Sequence, residues 1–187
     1  MRKFLVVVGI LLVGVILFML FGKQYYTKSF SPEDHSELQD DNFKALVFYN
    51  RPSKRGREIF GGLVPYGKVW CTGANEASWF EVSSDIYMQG KKLPAGRYSL
   101  WTIPNEKSWK VILNSFIPPW GIDHNSEAAR TPETDVLMVE APALLKENVV
   151  EQFTIDLQKL DSGYVLLFKW DKTEVPVPFS AIAPSDK

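Results

Sequence analysis

The chain has 187 residues, of which 45% are hydrophobic and 23% are charged, and its formal net charge is −1. These values are typical of one globular domain with a short appendage, and they exclude a disordered or fibrous chain. A nearly neutral chain lacks the basic surface that nucleic-acid binding requires, so nucleic acid is excluded as a partner. The single cysteine, Cys71, excludes an intrachain disulfide and a metal cluster built from cysteines.

The N-terminus carries an uncharged apolar run that begins at Phe4 and ends at Phe21. As a helix, this run would span about 27 Å, which is close to the hydrocarbon thickness of a bilayer. A cleaved signal peptide is the alternative, but no small-residue cleavage site follows the run. We therefore predict a transmembrane signal-anchor over residues 1–22 of an inner-membrane protein. Because Arg2 and Lys3 precede the run, the N-terminus is expected in the cytoplasm and the remainder in the periplasm or outside the cell.

The chain after the anchor divides into a polar tether, a domain and a tail. Residues 23–41 are mostly polar and predict a tether. From residue 42 to 180, short runs alternate in polarity with the two-residue period of strands, and turn residues separate them. This pattern predicts an all-β domain, either an antiparallel β-sandwich or an open barrel. Residues 181–187 are predicted to form a flexible tail.

Individual strands follow from the same period. The predicted strands cover residues 43–49, 80–89 with a bend at 83–84, 97–103, 109–113, 136–140, 153–158, 164–170 and 173–179. The strand at 164–170 resembles a central strand because both of its faces are apolar. The last strand contains Pro176 and Pro178 and is expected at a sheet edge. Residues 143–150 are the one segment predicted to form a helical turn.

Two long stretches lack the strand period. Residues 50–79, here called the glycine-rich loop, combine glycines with five basic residues and several aromatic residues. Residues 114–134, here called the Trp120 loop, contain the run Pro-Pro-Trp-Gly. Loops longer than about 12–15 residues tend to be functional or disordered. We therefore place the candidate site in these two loops.

The two loops also carry a family resemblance. The runs RPSKRGREIFGGLVPYGKVWCTGANEA and GKKLPAGRYSLWTIP, a later Trp-Gly and a closing strand with Val-Pro resemble the bacterial exported family catalogued as domain of unknown function 2911. The resemblance covers about residues 42–179. It implies an exported or lipid-anchored protein, and it brings no established activity and no cofactor. This sequence departs from the family's pattern at two places. Cys71 stands where the family has Arg, and residues 122–125 stand where the family has an aromatic-rich segment.

The charged candidates have a functional and a structural interpretation. Glu76, with Asn75 as a hydrogen-bond donor, would serve as a general acid or base. Alternatively, Glu76 would form an ion pair that holds the glycine-rich loop in place, with Arg51, Arg55 or Arg57 as its partner. The same arginines, together with Lys54, would otherwise bind an anion, since guanidinium groups suit carboxylate and phosphate.

The remaining candidates are aromatic residues and a histidine. Tyr66, Trp70 and Trp120 would line a ligand platform or pack inside the domain. His124 with Asp123 would supply acid–base or metal chemistry, or would be an ordinary loop residue. Cys71 is expected to behave as a small buried hydrophobic residue. No cofactor and no metal ion are expected.

These patterns favour a membrane-anchored binding module of the envelope over an enzyme. Its ligand would be a small molecule or peptide, or its partner another envelope protein. The predicted binding residues are Arg51, Arg55, Arg57, Tyr66, Trp70, Thr72, Asn75, Glu76, Trp120 and His124. One alternative is a hydrolase-like enzyme that uses Glu76 with His124 or Asp123, which predicts a raised pKa for Glu76. The other is a purely structural envelope protein.

Overall fold

The computed structural model describes residues 2–18, 23–41 and 43–181. The N-terminal apolar run forms helix α1 (Arg2–Leu17), and its described side chains are almost all exposed. A short second helix, α2 (Lys23–Phe30), follows it. Within those three ranges, no helix has both the length and the apolar character needed to cross a membrane. The end of the predicted anchor (residues 19–22) and residues 182–187 of the predicted tail lie outside the described residues.

The rest of the described chain is an all-β domain, as the strand period predicts. Its strands are β1 (Glu33–Asp40), β2 (Phe43–Asn50), β3 (Trp79–Val82), β4 (Ile86–Met88), β5 (Lys91–Leu93), β6 (Gly96–Pro104), β7 (Ser108–Asn114), β8 (Asp135–Pro142), β9 (Leu144–Leu160) and β10 (Gly163–Phe179). Six strands form one antiparallel sheet in the order β1-β2-β3-β6-β7-β8, while β9–β10 and β4–β5 are separate hairpins. One 3-10 turn, Pro132–Thr134, precedes β8.

The core lies between the six-stranded sheet and the long β9–β10 hairpin. Alternate residues of β2, such as Ala45 and Val47, are fully buried, as the two-residue period requires. They share one apolar cluster with Phe153 and Ile155 of β9 and with Phe168 of β10. The burial of apolar area in this cluster is the main favourable contribution to the stability of the domain.

An aromatic group inside this core positions the candidate site. Trp70 stacks on Trp170, with ring centroids 5.8 Å apart, and meets Phe153 edge-on at 4.8 Å. Trp109 and Phe60 pack edge-on against each other at 4.8 Å. Edge-on and stacked pairs of this kind add to the stability gained from area burial alone. The glycine-rich loop is therefore anchored to the core at Trp70 and Phe60.

The predicted tether over residues 23–41 is wrong, because this segment forms α2 and then β1. β1 pairs with β2 along its whole length, from Glu33 opposite Asn50 to Asp40 opposite Phe43. Its polar side chains suit an edge strand and make long-range bonds of their own. For example, the hydroxyl of Ser36 accepts the Leu157 N–H at 3.0 Å.

Two further local predictions are wrong. Residues 143–150 do not form a helical turn, because β9 begins at Leu144, which pairs with Glu174 of β10. Residues 164–170 and 173–179 form one strand, β10, and not two separate strands. Among the described strands β10 pairs with β9 alone, so residues 164–170 are not in a central strand, whereas the edge position predicted for residues 173–179 is confirmed. The pairing register between β10 and β9 shifts on both sides of Asp171, whose φ is 53°, and the strand continues beyond this shift. The bend predicted at residues 83–84 is confirmed, since β3 ends at Val82 and β4 begins at Ile86.

Candidate functional site

The two predicted loops meet at one cleft of about 530 Å³. The glycine-rich loop supplies most of its lining, and the Trp120 loop supplies Ile122, Ser126 and Ala128. Phe30 and Ser31, at the end of α2, complete the rim. This volume lies within the range of small-molecule pockets in proteins, about 300–1,000 Å³. The cleft is therefore the candidate functional site.

A sharp turn after Trp70 forms the back of the cleft. Trp70 exchanges two backbone hydrogen bonds with Thr102 (2.8 and 3.1 Å), and the chain then turns at Thr72 with a φ of 53°. A β-branched residue rarely adopts this left-handed conformation. Thr72 is held there because its hydroxyl shares a 3.1 Å hydrogen bond with that of Thr102 and its carbonyl accepts one from Ser78 at 2.8 Å. At Gly73 (φ 151°), a Cβ would lie 3.0 Å from the Asn50 carbonyl oxygen.

The Trp120 loop packs directly on this turn through Gly121. The Gly121 N–H donates to the Asn75 carbonyl at 2.7 Å. A Cβ on Gly121 would lie 2.7 Å from the Cβ of Cys71, so the close approach requires glycine. Asp123 then shapes the loop, because its carboxylate accepts the backbone N–H groups of Asn125 (2.8 Å) and Glu127 (3.0 Å). Both walls of the cleft are thus held by specific bonds.

Arg55 and Arg57 line the cleft, whereas Arg51 does not. Arg57 donates to the carbonyls of Ser53 (2.6 Å) and Lys54 (3.0 Å). Arg55 donates to the Phe30 carbonyl at 3.0 Å, and its guanidinium lies 4.5 Å from the centroid of the Phe30 ring. Arg51 instead forms an ion pair with Asp34 of β1 at 3.0 Å, which ties the loop to the sheet edge. Its role is therefore structural.

Glu76 pairs with Lys28 of α2, which corrects the predicted pairing with an arginine. Its carboxylate lies 2.9 Å from the Lys28 ammonium and accepts a 3.1 Å hydrogen bond from the Asn50 side chain. Burial alone would raise the pKa of Glu76, but the hydrogen bonds from Lys28, its own backbone and Asn50 outweigh burial and lower the pKa. The raised pKa that the hydrolase alternative predicts is therefore not found.

The other predicted site residues are dispersed. Trp70 lines the cleft, and its indole N–H donates to the Gly73 carbonyl at 3.2 Å. Tyr66 lies at a separate shallow depression beside residues 105–108. The exposed His124 and the half-buried Trp120 belong to the loop but are not among the residues that line the cleft.

Thr72, Asn75 and Glu76 also lie outside the lining. They shape the turn and its attachment to α2, since the Asn75 side chain donates to the Ser31 carbonyl at 3.3 Å.

Sequence reasoning missed most of the apolar lining. Leu63, Val69 and Ile122 have no periodic pattern, and Phe30 lies in the segment predicted as a tether. The only available signal was that Phe30 is a large apolar residue in a polar stretch. Cys71 also contacts the cleft, and the prediction that it is buried is confirmed, since it is 8% exposed. Burial raises the pKa of its thiol to about 12, so the thiol stays neutral.

Metal chemistry has no visible support at this site. In the part of the chain that the structure describes, no group of three or more histidine, cysteine, aspartate or glutamate residues is placed to hold a metal ion. Of the residues that the structure describes, two arginines and no acidic residue line the cleft.

Comparison with known proteins agrees with the resemblance of the loop sequences. No curated protein and no solved structure matches the chain. A family model described as protein of unknown function (DUF2911) matches residues 31–179. The match starts just before β1, where the domain begins, and it ends at Phe179, the last residue of β10. The chain therefore belongs to the DUF2911 family.

Proposed function

We propose that this protein is a non-enzymatic module of the bacterial envelope that binds a small ligand in the cleft between the glycine-rich loop and the Trp120 loop. The observation that carries this proposal is that both aperiodic loops, which are distant in sequence, line one cleft of about 530 Å³. Ordered loops that are held by a rigid sheet are where binding sites commonly lie in β-domains.

Backbone strain supports a binding role for the same region. Non-glycine residues with left-handed φ angles occur at Arg55 (50°) and Ser126 (64°) in the lining, and at Thr72 (53°) and Asn75 (58°) just behind it. Such residues cost about 1–3 kcal/mol each and tend to cluster at ligand sites. Four of the seven described non-glycine residues with a positive φ therefore lie in or next to the cleft, although contacts within the fold hold Thr72 in its conformation.

The side chains of the cleft favour binding over hydrolysis. Its described lining offers no histidine or carboxylate as a general base. The nearby carboxylate of Glu76 is already paired with Lys28. A role as a docking surface for another envelope protein is the competing outcome of the test below.

We further propose that the N-terminal run anchors the protein in the inner membrane, with the β-domain in the periplasm or outside the cell. Support comes from the apolar run itself and from the exposure of its side chains in α1, such as Ile10 at 66% and Leu11 at 64%. Exposed apolar surface of this extent normally contacts a membrane or a partner protein. We expect the protein to resist extraction of membranes with sodium carbonate, and we expect mass spectrometry to find an intact N-terminus. A mature N-terminus near residue 23 would refute the anchor.

A ligand screen tests the binding function. The full-length chain is titrated with sugars, peptides, small carboxylates, phosphates and divalent cations, and binding is followed by thermal shift and by tryptophan fluorescence. Trp70 and Trp170 line the cleft, so a ligand there changes their emission. The variant Ala74→Phe, which fills the cleft, abolishes the signal, whereas Ala95→Phe on the exposed turn before β6 retains it. If no compound gives a signal that Ala74→Phe removes, the small-ligand role is wrong and the protein-docking alternative gains.

A further inference from the structure

We infer that the ligand of this cleft is an anion with an apolar body, such as a carboxylate or phosphate monoester that carries a short alkyl or aromatic group. This inference rests on the proposed binding function and names the chemical class of the ligand.

The cleft carries positive charge. Among the described residues, its lining contains Arg55 and Arg57 and no acidic residue. Among the described residues, no carboxylate lies within 4.0 Å of either guanidinium, although Arg51 and Lys54 in the same loop both have acidic partners. The Glu151 carboxylate accepts the Arg55 backbone N–H at 2.8 Å, so part of this charge is balanced nearby. The two guanidinium groups themselves have no ion-pair partner among the described residues, and they raise the local concentration of anions.

The two guanidinium groups are held in place but keep donors available. Arg57 uses backbone carbonyls of its own turn, and Arg55 uses the carbonyl and the ring of Phe30. A guanidinium has five N–H donors, and these contacts occupy at most two in each. Because their positions are already restrained, binding an anion costs less side-chain entropy than it would at two free surface arginines.

Much of the remaining lining is apolar. Leu63 and Ile122 are large hydrophobic residues that remain 46% and 42% exposed at the cleft. Val69 and Trp70 lie deeper in the same lining. Covering such side chains is favourable by about 25 cal/mol per Å² of apolar area. A simple inorganic anion would leave this surface in water, whereas an anion with an apolar body would cover it.

The position of α2 connects the cleft with the proposed anchor. Phe30 and Ser31 line the cleft, and α2 begins only five residues after Phe18, the last described residue of the apolar run. α2 itself is about 12 Å long at 1.5 Å per residue. If the run is in the membrane, the cleft lies within reach of the lipid headgroups. Membrane lipids and free amphiphiles are thus two sources of the same ligand chemistry.

The test compares probes that carry both an octyl chain and a negative charge with probes that lack one of the two. The full-length chain in phosphatidylcholine nanodiscs is titrated with octanoate, octyl phosphate, 1-octanol and inorganic phosphate, and tryptophan fluorescence reports occupancy. We expect the two octyl anions to bind about tenfold or more tightly than 1-octanol or inorganic phosphate, since charge-assisted hydrogen bonds and apolar burial both contribute. Higher salt concentration is expected to weaken the binding of the octyl anions, because the arginines are exposed to solvent.

Matched variants locate the effect. Arg55→Gln/Arg57→Gln lowers the affinity for octanoate about ten- to hundredfold. The control Lys110→Gln/Lys172→Gln removes the same charge from exposed positions outside the lining and leaves the affinity within about twofold. A urea unfolding curve for each variant separates lost binding from lost folding.

The outcomes distinguish this inference from the function on which it rests. If 1-octanol binds as tightly as octanoate, or if the arginine variant binds octanoate normally, the cleft binds ligands but the anionic class is wrong. If no probe and no compound of the wider screen binds, the proposed function itself fails. Nanodiscs with one-fifth phosphatidic acid, a lipid that is a phosphate monoester, identify the source: competition with octanoate indicates a membrane lipid, and its absence indicates a free amphiphile.

Discussion

The fully buried side chain of Asn114, at the end of β7, holds the two ends of the Trp120 loop together. Its Nδ2 donates to the Thr131 carbonyl (2.7 Å) and to Asp135 Oδ1 (2.8 Å). Its Oδ1 accepts from the Phe116 N–H (2.8 Å) and from the Thr134 hydroxyl (2.9 Å). Both donors and both acceptor positions of the amide are used. We predict that the nearly isosteric change Asn114→Asp destabilises the protein at neutral pH.

The magnitude follows from these four bonds. The substitution removes both donors and places a carboxylate oxygen against the Thr131 carbonyl and the Asp135 carboxylate. Each buried group left without its partner costs about 1–3 kcal/mol, and two carboxylates at one site repel each other. Arg130, which remains paired with Asp135, offsets part of this repulsion. We expect the free energy of unfolding to fall by about 3–5 kcal/mol at pH 7.

The pH dependence of the variant gives an independent check. Repulsion and burial raise the pKa of the introduced carboxyl group above its value in the unfolded chain. The native state then binds more protons than the unfolded state, so the loss of stability shrinks as the pH falls. A protonated carboxyl group also regains one donor.

Urea unfolding followed by tryptophan fluorescence measures this effect at pH 7 and at about pH 5. Asn105→Asp, the same change at an exposed turn, is the control and is expected to shift the free energy of unfolding by less than about 0.5 kcal/mol. If Asn114→Asp unfolds like this control, or if its deficit does not shrink at the lower pH, the four-bond account of the loop is refuted.

Three further predictions concern the turn behind the cleft. Gly121→Ala forces a methyl group against Cys71 and the Asn75 carbonyl. Urea unfolding should therefore show that the free energy of unfolding falls by about 1–3 kcal/mol. An unchanged unfolding curve would mean that the two loops separate without cost. The pKa of Glu76 in the folded protein lies below 4.5, the ordinary value for a glutamate in an unfolded chain. Its pairing with Lys28 therefore stabilises the protein above pH 4.5, and this contribution is lost as the pH falls through the folded pKa. The free energy of unfolding of Glu76→Gln should therefore be about 0.5–1 kcal/mol lower at pH 7 and should depend less on acid pH. If the free energies of unfolding of both proteins fall in parallel as the pH is lowered, the pairing is contradicted. The Cys71 thiol should not react with a disulfide reagent at pH 8 in the native protein, because it is buried and burial raises its pKa to about 12. It should react once urea unfolds the protein. Rapid reaction of the thiol in the native protein would show that the turn opens.

Much of the β-domain was predictable because strand periodicity is local. Phe153, Ile155 and Leu157 alternate with polar residues, and all three are buried. The same rule failed at residues 33–40, where an edge strand carries polar residues on both faces and is held by side-chain bonds to β9 and β10. It also failed at residues 143–150, because the start of β9 is mostly exposed and its pairing with β10 joins residues that are distant in sequence.

The candidate site was predictable as two loops but not as a set of side chains. Arg55, Arg57 and Trp70 were predicted and line the cleft, whereas Tyr66 and His124 lie elsewhere. No sequence signal marks which face of an aperiodic loop is turned inward. Only the packing of one loop on the other determines that orientation.

The sequence by itself therefore determined the all-β class, the family and the two segments without strand period, because each of these is encoded within a few neighbouring residues. Only the tertiary structure decided that Lys28 of α2 is the partner of Glu76, and that Phe30, Leu63 and Ile122 line one cleft together with two arginines. These contacts join residues that are tens of positions apart. They depend on strand register and on the close approach at Gly121, and local sequence patterns carry no information about either.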